Sequence, residues 1–176
     1  MKAEAHKYQI AVARWPEDTE IARALLTNYG ESLAAAGVRV VRYEEELRGL
    51  PGKYAEKKAE LLLAQVGGEA AGCVAITERV LADGTCAGEM KRLWVEPRFR
   101  GLGLGRGLVY AAIDWAQSQG WGAVVLDTVN EAMPKAAALY RSLGFDETGR
   151  FNDNPVPGLT FYILKLSGGT AEKNDH

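Results

Sequence analysis

The run Arg100-Gly101-Leu102-Gly103-Leu104-Gly105-Arg106 constrains this chain more than any other stretch, because it joins a segment of strand character to an amphipathic helix. Upstream, Glu89 to Val95 reads as a strand; downstream, apolar residues recur at helical spacing from Leu104 to about Gln119, and Gly120 closes the helix. A helix start presents backbone N–H groups without intrahelical partners and a partial positive charge, and glycines ahead of it let an anion come close. Strand, glycine loop and helix in that order describe a cradle for a phosphate or diphosphate. Two familiar glycine patterns are not met. The dinucleotide fingerprint G-x-G-x-x-G fails because its last position is Arg106 counted from Gly101 and Leu108 counted from Gly103, and no Gly-Lys-Ser/Thr follows as a P-loop requires. What stands is Arg-x-x-Gly-x-Gly, at Arg100, Gly103 and Gly105.

Around this loop the chain alternates strand and helix signals. Tyr8 to Arg14 predicts a first strand, and Pro16 stands at the start of an amphipathic helix that stops at Gly37 and is weakened or interrupted at Gly30. A second helical stretch covers Tyr43 to Leu50 before Pro51-Gly52. Leu61 to Val66, the Gly67-Gly68 pair and Ala70 to Thr77 form a hairpin, and a further strand runs from Ala87 to Val95. After the loop and its helix come a short buried strand at Ala123 to Asp127, a helix from Pro134 to Leu143, and strands at Phe145 to Thr148 and Leu159 to Leu166. The order β-α-α-β-β-β-α-β-α-β-β implies an α/β (α+β) architecture, a mixed sheet with helices on both faces, in one domain over residues 1–167 with a loose polar tail at 168–176.

Composition narrows the function. A net charge of −2 gives no general attraction to nucleic acid, whatever Lys57-Lys58 contribute locally. Cys73 and Cys86 lack the spacing of a zinc or dithiol motif, and the two histidines, His6 and His176, lie near the termini, so neither a metal centre nor a histidine triad is expected. No secretory leader and no apolar run of ~18 residues is present, which predicts a soluble cytoplasmic protein without a membrane partner.

The spacing Arg100-x-x-Gly103-x-Gly105 after Glu89-Met90-Lys91-Arg92-Leu93-Trp94-Val95 resembles motif A of the GNAT acyltransferase superfamily. Met133 to Phe145 looks like the family's next helix, with Ala136, Leu139, Tyr140, Gly144 and Phe145 in the expected places, so the resemblance covers about Glu89 to Leu166. It implies a GNAT fold with a mostly antiparallel sheet and acetyl-coenzyme A as cofactor. Its pyrophosphate would lie on Arg100, Gly101, Leu102, Gly103, Leu104, Gly105 and Arg106, and its pantetheine arm would pair with the backbone from Leu93 through Trp94 to Val95. At those three positions the side chains are expected mainly to pack. Many members carry an asparagine where this chain has Met133, and Asn130 is close enough in sequence to replace it. The implied activity is N-acetylation of a primary amine on a small molecule or peptide. The alternative is a catalytically silent acyl-coenzyme A sensor. The oligomeric state is not readable from the sequence, although in this fold the last strands often supply dimer contacts, which would suit a homodimer.

Amine acylation needs a deprotonated nitrogen and a proton for the departing thiolate. Glu89 occupies a position similar to that of the base glutamate of some GNAT enzymes. Strict alternation places Glu89, Lys91, Leu93 and Val95 on one face and Met90, Arg92 and Trp94 on the other, so Glu89 reads either as the base or as the ion-pair partner of Lys91. Tyr140 reads as the general acid by its place in the second motif, or as a core aromatic beside Ala136, Leu139 and Leu143. Asn152, Asn154 and the following Pro155-Val156-Pro157-Gly158 belong to a connection that borders the acceptor pocket in this fold, and Lys91 or Arg92 would favour an acceptor with a carboxylate, such as an amino acid.

Overall fold

The computed structural model describes residues 8–167; the expected tail and both histidines lie outside them. Seven strands, β1 (Tyr8–Val12), β2 (Ala59–Val66), β3 (Glu69–Val80), β4 (Cys86–Val95), β5 (Ala123–Val129), β6 (Asp146–Thr148) and β7 (Leu159–Lys165), form one sheet in the order β1-β2-β3-β4-β5-β7-β6. Among the described residues four α-helices accompany it: α1 (Thr19–Ala35), α2 (Tyr43–Arg48), α3 (Leu104–Ser118) and α4 (Pro134–Ser142). All strand pairs are antiparallel except β4 with β5.

The helices lie on both faces because the strands are apolar on both. On one face Val74, Ile76, Met90, Val124 and Leu126 pack with Leu104, Leu108 and Ala112 of α3 and Tyr140 of α4. On the other, Leu61, Leu63, Cys73, Ala75 and Trp94 pack with Leu25 and Leu26 of α1. Full burial of each such leucine contributes about 1.5–3 kcal/mol, so both layers are needed to hold the sheet.

Two local expectations are corrected. Helix α1 begins at Thr19 rather than Pro16, because the Asp18 carboxylate accepts from the Arg14 N–H at 2.7 Å and ties residues 14–18 into a turn. It then runs unbroken through Gly30, whose missing side chain leaves room for the Tyr43 ring of α2; the Tyr43 hydroxyl donates to the Leu26 carbonyl.

The position of the site follows from two irregularities in β4. Its parallel pairing with β5 covers only Ala87–Ala123, Gly88–Val124 and Glu89–Val125, after which the strands part. Its pairing with β3 slips between Ala75–Lys91 and Cys73–Trp94, where Arg92 takes a positive φ of 60° as the extra residue of a β-bulge. The bulge overturns the expected alternation. Leu93 and Val95 face the α3 layer with Met90, on the side opposite Glu89 and Lys91, and Trp94 faces the α1 layer.

Candidate active site

The loop between β4 and α3 puts unpaired amides at a helix start. Gly101 and Gly103 have φ of 84° and 81°, a region that side chains with a Cβ rarely adopt, and the space about both is open. No side chain caps α3. Among the described residues the amides from Gly101 to Arg106 have no acceptor; the first bond of the helix runs from Gly107 N–H to Gly103 C=O at 3.0 Å. A diphosphate fits a row of unsatisfied N–H groups reinforced by a helix dipole. The side chains of the run do other work. Leu104 is buried and Leu102 packs against the core, while Gly105 lets Leu139 of α4 come close. The Arg106 guanidinium donates to Ser142 Oγ at 3.2 Å, and Arg100 turns back to the Val95 carbonyl at 3.1 Å, its guanidinium over the Trp94 ring.

The gap between β4 and β5 leaves β4 with a free edge. Glu96 N–H donates to Ala71 C=O at 2.8 Å, and Trp94 opposes Cys73. The alternation of an antiparallel ladder then turns the amide and carbonyl groups of Leu93 and Val95 away from β3, toward the gap. The Trp94 indole is committed to the opposite layer, where Nε1 donates to Glu96 at 3.2 Å.

Tyr140 stands on α4 between Phe145 and Tyr162, with its ring buried, and it lines the cleft that opens where the strands part. Burial pushes its phenol well above the ordinary value, with smaller contributions from Tyr29 and Asp127. It therefore holds its proton at neutral pH. Asn130 is half-buried, and its Oδ1 accepts from the Tyr162 hydroxyl at 3.1 Å.

Glu89 is buried and lies between two cations. Arg79 Nε bonds one carboxylate oxygen, and Lys91 Nζ lies 2.7 Å from the other, outside hydrogen-bonding alignment, so that oxygen has a charge beside it but no directed donor. Glu46 of α2 is held in a similar way. Arg92 reaches it through Nε at 3.2 Å and a terminal nitrogen at 2.8 Å, the Tyr54 hydroxyl donates to it, and Lys53 lies at 3.6 Å. Burial pushes the Glu46 carboxyl upward, but Arg92, Tyr54 and Lys53 together outweigh it and hold the group at about 2. Arg92 itself stacks over the Tyr43 ring, 5.1 Å from its centroid.

Glu46, Lys53, Tyr54, Arg79, Lys91 and Arg92 line a cleft of about 640 Å³ bounded by α1, α2, the parted strands and the 152–156 connection. On its β5 side Asp127 Oδ2 accepts from Asn152 Nδ2 at 2.7 Å and from Asn154 Nδ2 at 3.2 Å, so Oδ1 is left without a protein donor among the described residues. The sequence reading placed Asn152 and Asn154 beside the pocket but missed Asp127, which it took as the end of a strand. It also missed Glu46, because an acidic run at a helix start looks the same when it is solvated.

Among the described residues there is no group of three or more metal-binding side chains, and no helix is long and apolar enough to cross a membrane.

Residues 20–145 match the Acetyltransferase (GNAT) family. An uncharacterized N-acetyltransferase of Schizosaccharomyces pombe is 33% identical over 159 residues, which covers 90% of this chain and 94% of the relative. N-acetylaspartate synthetase of Danio rerio is 37% identical over 98 residues, 56% of this chain and 33% of that protein. In three dimensions the chain is similar to a Salmonella typhimurium structure that carries acetyl-CoA as its cofactor, with a TM-score of 0.70 at 22% identity over 96% of this chain and 99% of that one. The chain belongs to the GNAT family, a class of acetyl-CoA-dependent N-acetyltransferases.

Proposed function

We propose that this chain acetylates a primary amine of a small molecule or peptide that enters the 640 Å³ cleft from the α1 and α2 side. One observation carries the reading: β4 and β5 part just past Glu89–Val125, between a cradle of unpaired amides and a cleft lined by Tyr140 and Asp127. Bound acetyl-CoA would supply an acetyl group activated as a thioester. The amides from Gly101 to Arg106 would bind its diphosphate, and the backbone edge at Leu93 and Val95 would bind its extended arm as an added strand, with Arg100 Nε giving up the Val95 carbonyl.

The proton traffic is assigned to the chain's own groups. Tyr140 Oη keeps its proton and lies in the cleft, which suits it to donate to a departing thiolate. Asp127 Oδ1 is placed to hold the ammonium of the acceptor and to receive its proton, while Asn152 and Asn154 fix the carboxylate through Oδ2. Glu89, between Arg79 and Lys91, serves better as their anchor than as the base. Lines of support for an enzyme rather than a sensor are a cleft lined by charged and amide side chains beside the cradle and a buried phenol at their junction.

Tyr140→Phe tests the assignment. It is expected to lower kcat by about 100-fold, the order contributed by one general acid, with calorimetric affinity for coenzyme A unchanged. An undiminished kcat would return Tyr140 to packing between Phe145 and Tyr162.

A further inference from the structure

The walls of the cleft differ in charge, and the difference comes from layering. On the β3–β4 side and the neighbouring 3₁₀ turn at Gly52–Ala55, two carboxylates lie beneath and four cations attend them. Glu89 is 2% exposed, yet its partners Arg79 and Lys91 are 34% and 31% exposed; Glu46 is 14% exposed, with Lys53 above it at 42% and Arg92 at 10%. Apart from Arg92, which is as buried as the carboxylate it holds, the cations lie nearer the solvent than the anions. That wall therefore carries a surplus of positive charge, more of it at the surface than the ion pairs alone suggest. Across the cleft, Asp127 has no cationic partner among the described residues and offers Oδ1. The exposed rim adds Arg42, Glu45 and Asp153, which water and salt screen.

Building on the acyl-acceptor reading of this cleft, we infer that the acceptor amine also carries an anionic oxygen group, a carboxylate or a phosphonate, held by Lys91, Arg79 and Lys53 while Asp127 holds the amine. A bare amine meets only the Asp127 wall and leaves the cationic wall facing water. A zwitterion satisfies both. Lys91 and Lys53 are the movable parts: each is a single ammonium on a flexible stem beside a carboxylate, so each can turn to an incoming anion and remain near its original partner.

The test uses the intact chain with acetyl-CoA and a matched panel of amino acids, the corresponding aminoalkylphosphonates, the carboxamides and the amines lacking the group. Thiol release is expected to show kcat/KM at least ~10-fold higher for the anionic members than for the carboxamides and bare amines, and the better of the two anions identifies the group. Lys91→Gln and Lys53→Gln, each checked by a thermal melt, are expected to lower that ratio several-fold. Equal or better turnover of the carboxamides would overturn the inference while leaving the transferase assignment in place. If no acceptor releases thiol, the transferase reading fails by itself. Calorimetric binding of an acid and its carboxamide to the coenzyme A-loaded protein then still decides anion recognition, and equal affinities would reject it.

Discussion

Glu46 shows how much a half-buried carboxylate in this molecule depends on what surrounds it. Its ordinary value is ~4.3 in an unfolded chain, and the fold holds it at about 2. A depressed carboxyl contributes stability above its unfolded value and loses it as pH falls toward the folded one, so the contribution of Glu46 is present above pH ~4.3 and fades toward pH 2. Urea unfolding across that window is expected to show a shallower acid limb for Glu46→Gln than for the parent, and parallel limbs would contradict the ion-pair account. None of this was legible in the chain. Glu46 and Arg92 are separated by 46 positions, and nothing near either one announces the other. Tyr140 was more accessible to sequence reasoning, because the residues around it carry a recognisable helix motif, although only the fold puts it between Phe145, Tyr162 and the cleft.

At the level of elements, the glycines separate backbone function from packing. A side chain at Gly103 would meet no neighbour, so Gly103→Glu costs about 1–2 kcal/mol for its left-handed backbone and also brings a negative charge to the cradle. Calorimetry is expected to show coenzyme A binding weakened on the order of 10- to 100-fold, beside a modest drop in thermal midpoint; full affinity would move the diphosphate site elsewhere. Gly30→Ala sets two effects against each other. Helix propensity favours alanine by about 1 kcal/mol, whereas the new methyl group collides with the Tyr43 ring. The collision is expected to win, with a net loss of about 1–2 kcal/mol in chemical denaturation, and a gain in stability would show that Tyr43 can move aside. Element order was readable throughout, since turns marked by Gly67-Gly68, Gly120 and Gly144 punctuate clear apolar periods. The bulge in β4 was not. The adjacent Lys91 and Arg92 break the polar–apolar alternation between Met90 and Leu93, but only pairing with β3 shows that an extra residue is the reason.

Across the whole molecule, the sheet is two antiparallel groups of strands joined by a short parallel seam, Ala87–Glu89 against Ala123–Val125. Hydrogen exchange should report that arrangement directly. Amides at Leu93, Val95 and Leu104 to Arg106 are expected to exchange quickly in the free protein and to slow when acetyl-CoA is added, while those of the seam stay slow in both. Unaltered exchange at the loop and the free edge would argue against the cofactor position. The bulge at Arg92 carries a consequence for how such a chain can change over generations. Deleting that one position would leave Lys91, Leu93 and Trp94 on their present layers and would heal the ladder with β3, because the ranks on either side already match. A straightened β4 could then stay zipped to β5 beyond Glu89, giving a more regular sheet and closing the opening between them. Shortening by a single codon at this point would thus regularise β4 and close the opening while stripping Glu46 of the guanidinium that holds it, whereas exchanging the side chain alone would keep the strands apart.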